Sequence, residues 1–420
     1  MVPRRSLLRA LGASFAVATA GCNAAPTNDG PATEPTGTPT ATPTRTLAPD
    51  SETPTESSTA SPTPTGSTNG SAVLSGDGGV TEFGRTVALA DDAAVVLAEG
   101  HGAYAVAAAD GWGDPTVLTP EDGDGFGGYN ASAALDGDVA VVGGPSAGPD
   151  PNTGAVYRFE RADDGWRQRA HLAPETEEET NEFGRSVAFD GDRIVVGDAN
   201  DPTTMVSWVG GAYVFAGGEA DWEQDVTLGT EASDLFGTAV AADGDTVLVG
   251  APYADVDGQE SGAVYAYELT DGEWRRRGRL SPSEPFGNDV FGRSVGIDGD
   301  RAIVGAPGTD GGHAYLFERT DGDWGERARL TPSELESGAD FGHSVALAGG
   351  TAVVGAPQAG STGAAYAFRA EAAWAPTRQL TAADLPGDAE FGFDVALSGS
   401  TALVGAPVYG AASDAYLFDL

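Results

Sequence analysis

A phenylalanine-glycine pair recurs at residues 83, 126, 183, 236, 291, 341 and 391, at spacings of 43 to 57 residues. Few folds accept such a period. Each unit must be one supersecondary motif that buries its faces against the units before and after it. Phe286-Gly287 is an eighth match without the downstream pattern, and it reads as loop.

The unit is clearest in "FGRSVGIDGDRAIVGAP", residues 291 to 307. An alternating run leads to an Asp-Gly turn, an apolar run, a glycine-rich loop and "HAYLFER". Asp-Gly between apolar runs is a strong hairpin signal, because both residues tolerate the positive φ of a tight turn. It recurs at Asp136-Gly137, Asp190-Gly191, Asp243-Gly244 and Asp298-Gly299, and softens to Gly349-Gly350 and Ser398-Gly399. Trp112, Trp166, Trp222, Trp274, Trp324 and Trp374 each follow the third run and are expected to begin a fourth, more polar strand. "AIVGA", "VLVGA" and "AVVGA" are apolar at consecutive positions, so both faces of the second strand should be buried. The expected fold is all-β, a seven-bladed β-propeller of four-stranded antiparallel blades over residues 71–420. The last unit stops after "DAYLFDL" without its fourth strand, and Ser71 to Ser75, "SAVLS", is expected to supply it and close the ring.

"FG" followed by "GAP" resembles the FG-GAP repeat of the integrin alpha-subunit propeller. The second half is intact at Gly250-Ala251-Pro252, Gly305-Ala306-Pro307, Gly355-Ala356-Pro357 and Gly405-Ala406-Pro407. It drifts to "GGP" at Gly143 and "GDA" at Gly197, and the first unit has "LAEG" instead. The motif is read as scaffold: Phe fills the seam between blades, Gly lets backbones approach, and Pro ends the second strand. Fold resemblance alone does not assign function.

The segment before the repeats divides in two. In residues 1–21, Arg4 and Arg5 precede "SLLRALG" and an apolar stretch too short to span a bilayer, which resembles a twin-arginine export signal. "TAGC", Thr19 to Cys22, resembles a lipobox, and that resemblance makes Cys22 a lipidated N-terminus. Residues 22–70 read as a disordered stalk: 14 Thr and 9 Pro leave too little apolar surface to fold. Asn69-Gly70-Ser71 and Asn130-Ala131-Ser132 are N-glycosylation sequons.

The net charge of −41, with 22 Arg, no Lys and 63 Asp plus Glu, is tolerable where molar salt shortens screening to about 3 Å. This composition resembles that of extracellular proteins of salt-loving archaea, and it makes nucleic acid a poor partner. Cys22 is the only cysteine, so no intrachain disulfide holds the domain.

Two loops carry candidate sites. Asp255, Asp257 and Glu260 in "YADVDGQESGAVY" offer hard oxygen ligands at the place where the integrin repeats, by resemblance, bind calcium. Trp208, near Asp198, Asn200 and Asp201, is a candidate partner contact. Arg275, Arg276, Arg277 and Arg279 are expected on an outer strand, where alternating ones can pair with surface carboxylates. His101, His171, His313 and His343 fall in four different units beside no nucleophile signature, and catalysis finds little support. The expected protein is a non-enzymatic monomer on the extracellular face of the membrane. It would be anchored through Cys22 and would bind an extracellular protein or glycan. The alternatives are an exported enzyme acting in the propeller channel and a purely structural envelope component.

Overall fold

The computed structural model describes residues 70–76, 80–113, 115–123, 125–126, 130–147, 154–163, 165–175, 182–199, 210–218, 221–229, 234–332, 335–383 and 385–420. Cys22, Asn69 and Trp208 lie outside them, as do residues 1–69 as a whole.

Seven four-stranded antiparallel sheets follow one another along the chain. Blade 5 is typical: Ser294–Asp298 is innermost, followed outward by Arg301–Ala306, His313–Thr320 and Asp323–Leu330. The second strand is buried on both faces in every blade, for example Thr351–Ala356 and Thr246–Ala251. The intact GAP prolines stand immediately after these strands, where a missing N–H interrupts no ladder. The seventh blade consists of Val395–Ser398, Thr401–Ala406, Asp414–Asp419 and, outermost, Gly70–Ser75. Leu74 of that strand is 2% exposed and pairs with Ala415.

The repeated phenylalanines lie between blades. Phe291 is fully buried among Leu248, Val264 and Leu280 of blade 4 and Val304 and Phe317 of blade 5. It meets Tyr315 and Phe317 edge to face at 5.5 and 5.9 Å. Burying such a ring is worth about 1.5–3 kcal/mol, with about 0.5–1.5 more from each aromatic pair.

The Asp-Gly turns do more than reverse the chain. Asp243 and Asp298 each accept a hydrogen bond from the turn glycine of the next blade, Gly299 N at 2.5 Å and Gly349 N at 2.9 Å. The second Asp of the turns recruits arginine: Arg161 bridges Asp92 of blade 1 and Asp138 of blade 2, both at 2.6 Å. Arg319 joins Asp300 and Glu268 in the same way. At this end of the ring the acidic turns are thus tied together by the few arginines.

Two tryptophans depart from expectation. Trp166, Trp222, Trp274 and Trp324 lie in the outer strands. Trp112 and Trp374 instead take left-handed conformations after short 3-10 turns, and their outer strands start later, at Thr116 and Pro376. Pro115 and Pro376 cannot donate to the ladder, so pairing begins only past them or on them.

Candidate functional site: the axial channel and an open seam

The innermost strands of all seven blades surround an axial channel. Antiparallel order puts the start of each innermost strand and the loop between second and third strands at one end, and the Asp-Gly turns at the other. Near the turns the channel is lined by Val87, Leu89, Leu135, Phe189, Ile297 and Leu397 among others, and carries no charged side chain. At the opposite end is a cavity of about 290 Å³ that takes Arg85, Arg185, Arg293, His343, Phe393 and Asp394 into its wall. Five of these six residues directly follow a Phe-Gly pair.

Hydroxyls and one carboxylate knit the innermost strands together. Ser294 Oγ donates to Gly342 O at 2.9 Å, Ser132 Oγ to Gly184 O at 2.8 Å and Thr86 Oγ1 to Ala131 O at 2.9 Å, each reaching the next blade. Asp394 replaces the hydroxyl in blade 7 and joins three blades. It accepts from Ser344 Oγ at 2.6 Å, Val87 N at 2.8 Å and Val395 N at 3.0 Å. Burial pushes its carboxyl up to about 6, against those hydrogen bonds. His343 Nδ1 donates to Phe393 O at 2.8 Å, and burial, with Arg293 close by, pulls its imidazole down to about 4. His343 is therefore neutral at neutral pH.

Six seams between blades close in one way. A Cβ on Gly305 would stand 2.0 Å from Gly342 O of the next blade, and those on Gly250, Gly355 and Gly405 would meet the next Phe-Gly carbonyl at 2.1, 2.0 and 1.9 Å. The second glycine has its own reason, since Gly342 adopts φ 93°. The seam between blades 1 and 2 departs from this. Leu97 pairs with Thr86 as Gly305 pairs with Ser294, so a leucine occupies the contact position. Blade 2 also spends three more residues between Phe126 and Ser132 than blade 3 spends between Phe183 and Ser186.

That seam holds a cavity of about 210 Å³ lined by Arg85, Leu97, Glu99, His101, Phe126 and Asn130, among others. Glu99 stands where other units have the GAP proline. Arg85 lies 3.4 Å from Glu99 and 3.6 Å from Glu82, and its guanidinium covers the Phe393 ring at 4.4 Å. Burial, helped by the neighbouring Glu82 carboxyl, pushes Glu99 up to about 7, while Arg85 opposes the shift. His101 Nε2 is 3.0 Å from Thr81 Oγ1. Asn130 is exposed and borders both the seam cavity and the channel.

The other expected sites are more dispersed. Asp255 and Glu260 face each other across a two-residue hairpin, Asp255–Val256 against Gln259–Glu260. Its turn is Asp257-Gly258, both at positive φ, and Asp255 Oδ1 accepts from Gly258 N at 2.7 Å. Among the described residues no three His, Cys, Asp or Glu side chains cluster as a metal would need. His171 stacks on Tyr157, and His313 is buried against Arg329. Of the arginine run, Arg275 pairs with Glu273 at 2.7 Å and Arg277 with Glu268 at 3.1 Å. Arg276 lies over the Tyr265 ring, and Arg279 reaches Asp255 O.

Sequence reasoning passed over the channel arginines. The residue after each Phe-Gly stands at or just before the start of an innermost strand, and it is Arg in three of the seven units, at 85, 185 and 293; that recurrence was the signal available.

A comparison with curated proteins gives no match. The FG-GAP repeat matches residues 166–215, 228–267, 274–317, 324–368 and 374–418, more than half of the chain. Each matched stretch begins at or near an outer strand and ends at or near the third strand of the next blade. The chain belongs to the FG-GAP repeat family.

Proposed function

We propose that this propeller is a non-enzymatic binding scaffold at the cell surface, anchored through Cys22 and held off the membrane by the stalk. It engages an extracellular protein or glycan through the end of the ring opposite the Asp-Gly turns. The supporting observation is the placement of exposed aromatics. Tyr253, Phe286 and Tyr409 are 44, 56 and 79% exposed, and all lie in connections at that end. Rigid aromatic side chains on loops of a fixed scaffold are the usual anchors of a binding surface. Two of them share one neighbourhood: the loop after Phe286 bonds to the Asp255–Glu260 hairpin through Asn288 N to Glu260 O at 2.9 Å, and that hairpin follows Tyr253.

The test is capture of envelope components at molar salt by the full chain and by a Tyr253→Ala, Phe286→Ala, Tyr409→Ala variant. Retention by the wild type and its loss in the variant is expected. Equal retention by both removes this face from the proposal, and Cys22→Ser staying with the membrane fraction removes the anchor.

An exported enzyme acting in the channel is the second reading, favoured by Arg85, Arg185, Arg293 and His343 meeting Asp394 around one cavity. It ranks second because both Asp394 oxygens and His343 Nδ1 are already bonded to the framework.

A further inference from the structure

In a chain with 63 acidic and 22 basic residues, three arginines line one cavity at the end of the channel. Two are neutralised by their own repeat. Arg85 and Arg185 follow "EFG", and the glutamate three residues earlier reaches back: Glu182 lies 2.6 Å from Arg185, and Glu82 lies 3.6 Å from Arg85. Blade 5 writes "VFG". Val290 stands in the place of the glutamate, and among the described residues no carboxylate comes within ion-pair distance of Arg293. The acidic groups that face it do not substitute. Asp394 is committed to Ser344, Val87 and Val395, and Asp340 of blade 6 stays beyond ion-pair reach.

We propose that this end of the channel is an oxyanion site, in which the fork of Arg293, the channel arginine without a paired carboxylate among the described residues, holds a carboxylate or sulfate group beside the ion-paired Arg185 and Arg85. A planar guanidinium binds such groups through two parallel N–H bonds, and a part-buried site strengthens them. Burial, then the like charge of Arg185 and, to a smaller extent, of Arg85, holds the Arg293 guanidinium below the ordinary arginine value, while Tyr253 and Asp394 oppose the shift. A bound anion removes that like-charge penalty. The channel narrows the choice: its far end carries no charged side chain, so the anion is held at the arginine end. The oxyanion belongs either to a free small anion or to an acidic sugar of a glycan, and the site does not depend on the aromatic face described above.

Isothermal calorimetry of the full chain in molar potassium chloride, with acetate, sulfate and glucuronate as probes, tests the site. Saturable heat from at least one probe is expected, weakened at least about tenfold in Arg293→Gln and less in Arg293→Lys. Arg275→Gln on the outer strand should bind as the wild type does. Glucuronate well above acetate assigns the site to an acidic sugar, and equal binding of the two assigns it to a free carboxylate. No saturable heat from any probe, or the same heat in Arg293→Gln, overturns the proposal. Should Arg293→Gln fail to fold, Arg293→Lys binding like the wild type overturns it equally.

Discussion

The seam between blades 5 and 6 and the seam between blades 1 and 2 are built from the same sentence with one word changed. In the first, two glycines let backbones touch, and Gly312 bridges to the buried Phe341. In the second, Leu97 stands at the contact, Phe126 is 5% exposed, and a cavity opens beside Glu99 and Arg85. Both seams keep the hydroxyl latch, Ser294 to Gly342 in one and Thr86 to Ala131 in the other. The latch is thus common to a sealed and an open seam, and the glycine pair is what distinguishes them. A side chain in place of the glycine converts a structural joint into a lined pocket with ionisable groups.

The largest effect should come from removing a joint altogether. Deleting residues 71–78 takes the outermost strand, with the buried Leu74, from the blade that packs against blade 1. The denaturant midpoint should fall sharply, whereas deleting 30–65 should leave it unchanged. Equal midpoints would show that the ring does not need this strand.

Next come the seam phenylalanines. Phe341→Ala empties a sealed seam and should cost about 3–5 kcal/mol. Phe126→Ala should cost less, because one side of that ring already borders a cavity. Equal losses in urea unfolding would mean that the open seam is as tightly packed as the closed ones.

The glycine contact itself can be probed with one methyl. Gly305→Ala forces a Cβ against a carbonyl and should cost about 3 kcal/mol, while Leu97→Met, a larger group at the equivalent place, should cost less than about 1.5 kcal/mol. A neutral Gly305→Ala would contradict the account of the closed seams.

These contrasts also mark what the sequence made legible. Seven Phe-Gly pairs, the Asp-Gly turns and the doubly apolar second strands suffice to place the blades, because hairpin chemistry and burial are local and repeated. "LAEG" was visible as a departure, yet its consequence was not: that Leu97 opens a cavity depends on a carbonyl contributed by the next blade. The channel arginines were illegible for the same reason, since Arg85, Arg185 and Arg293 are roughly one hundred residues apart in sequence and meet only when the ring forms. "DVDGQE" reads as a metal loop in isolation. In the fold it is also a hairpin whose Asp257-Gly258 turn is the same device used in the blades.

The open seam should also carry a pH signature of its own, separable from that of Asp394 at the sealed seams of blade 7. Glu99 is pushed up to about 7 from an ordinary value near 4.5. A carboxyl whose folded value is raised stabilises the fold below the unfolded value, and that contribution is lost as pH rises through the folded one. Stability should therefore decline between about pH 4.5 and 7, and Glu99→Gln should flatten the decline. Asp394, pushed up to about 6, adds a loss of the same sign up to about pH 6, which the variant retains. An unchanged profile in Glu99→Gln, followed by thermal unfolding, would place the seam carboxyl in ordinary solvent.

The smallest effect is expected at the Asp255–Glu260 hairpin, a second place where a loop departs from the repeat. Two carboxylates directly opposite on paired strands repel, and a divalent cation between them would offset that. Asp255 already gives one oxygen to Gly258 N, so calcium can draw on only part of the usual oxygen shell, and affinity should be weak. Calorimetry should detect a small calcium heat in the wild type that disappears in Asp255→Ala with Asp257→Ala, without a change in unfolding midpoint beyond about 1 kcal/mol. The same heat in both proteins, or none in either, would leave the hairpin a turn whose acids serve its backbone alone.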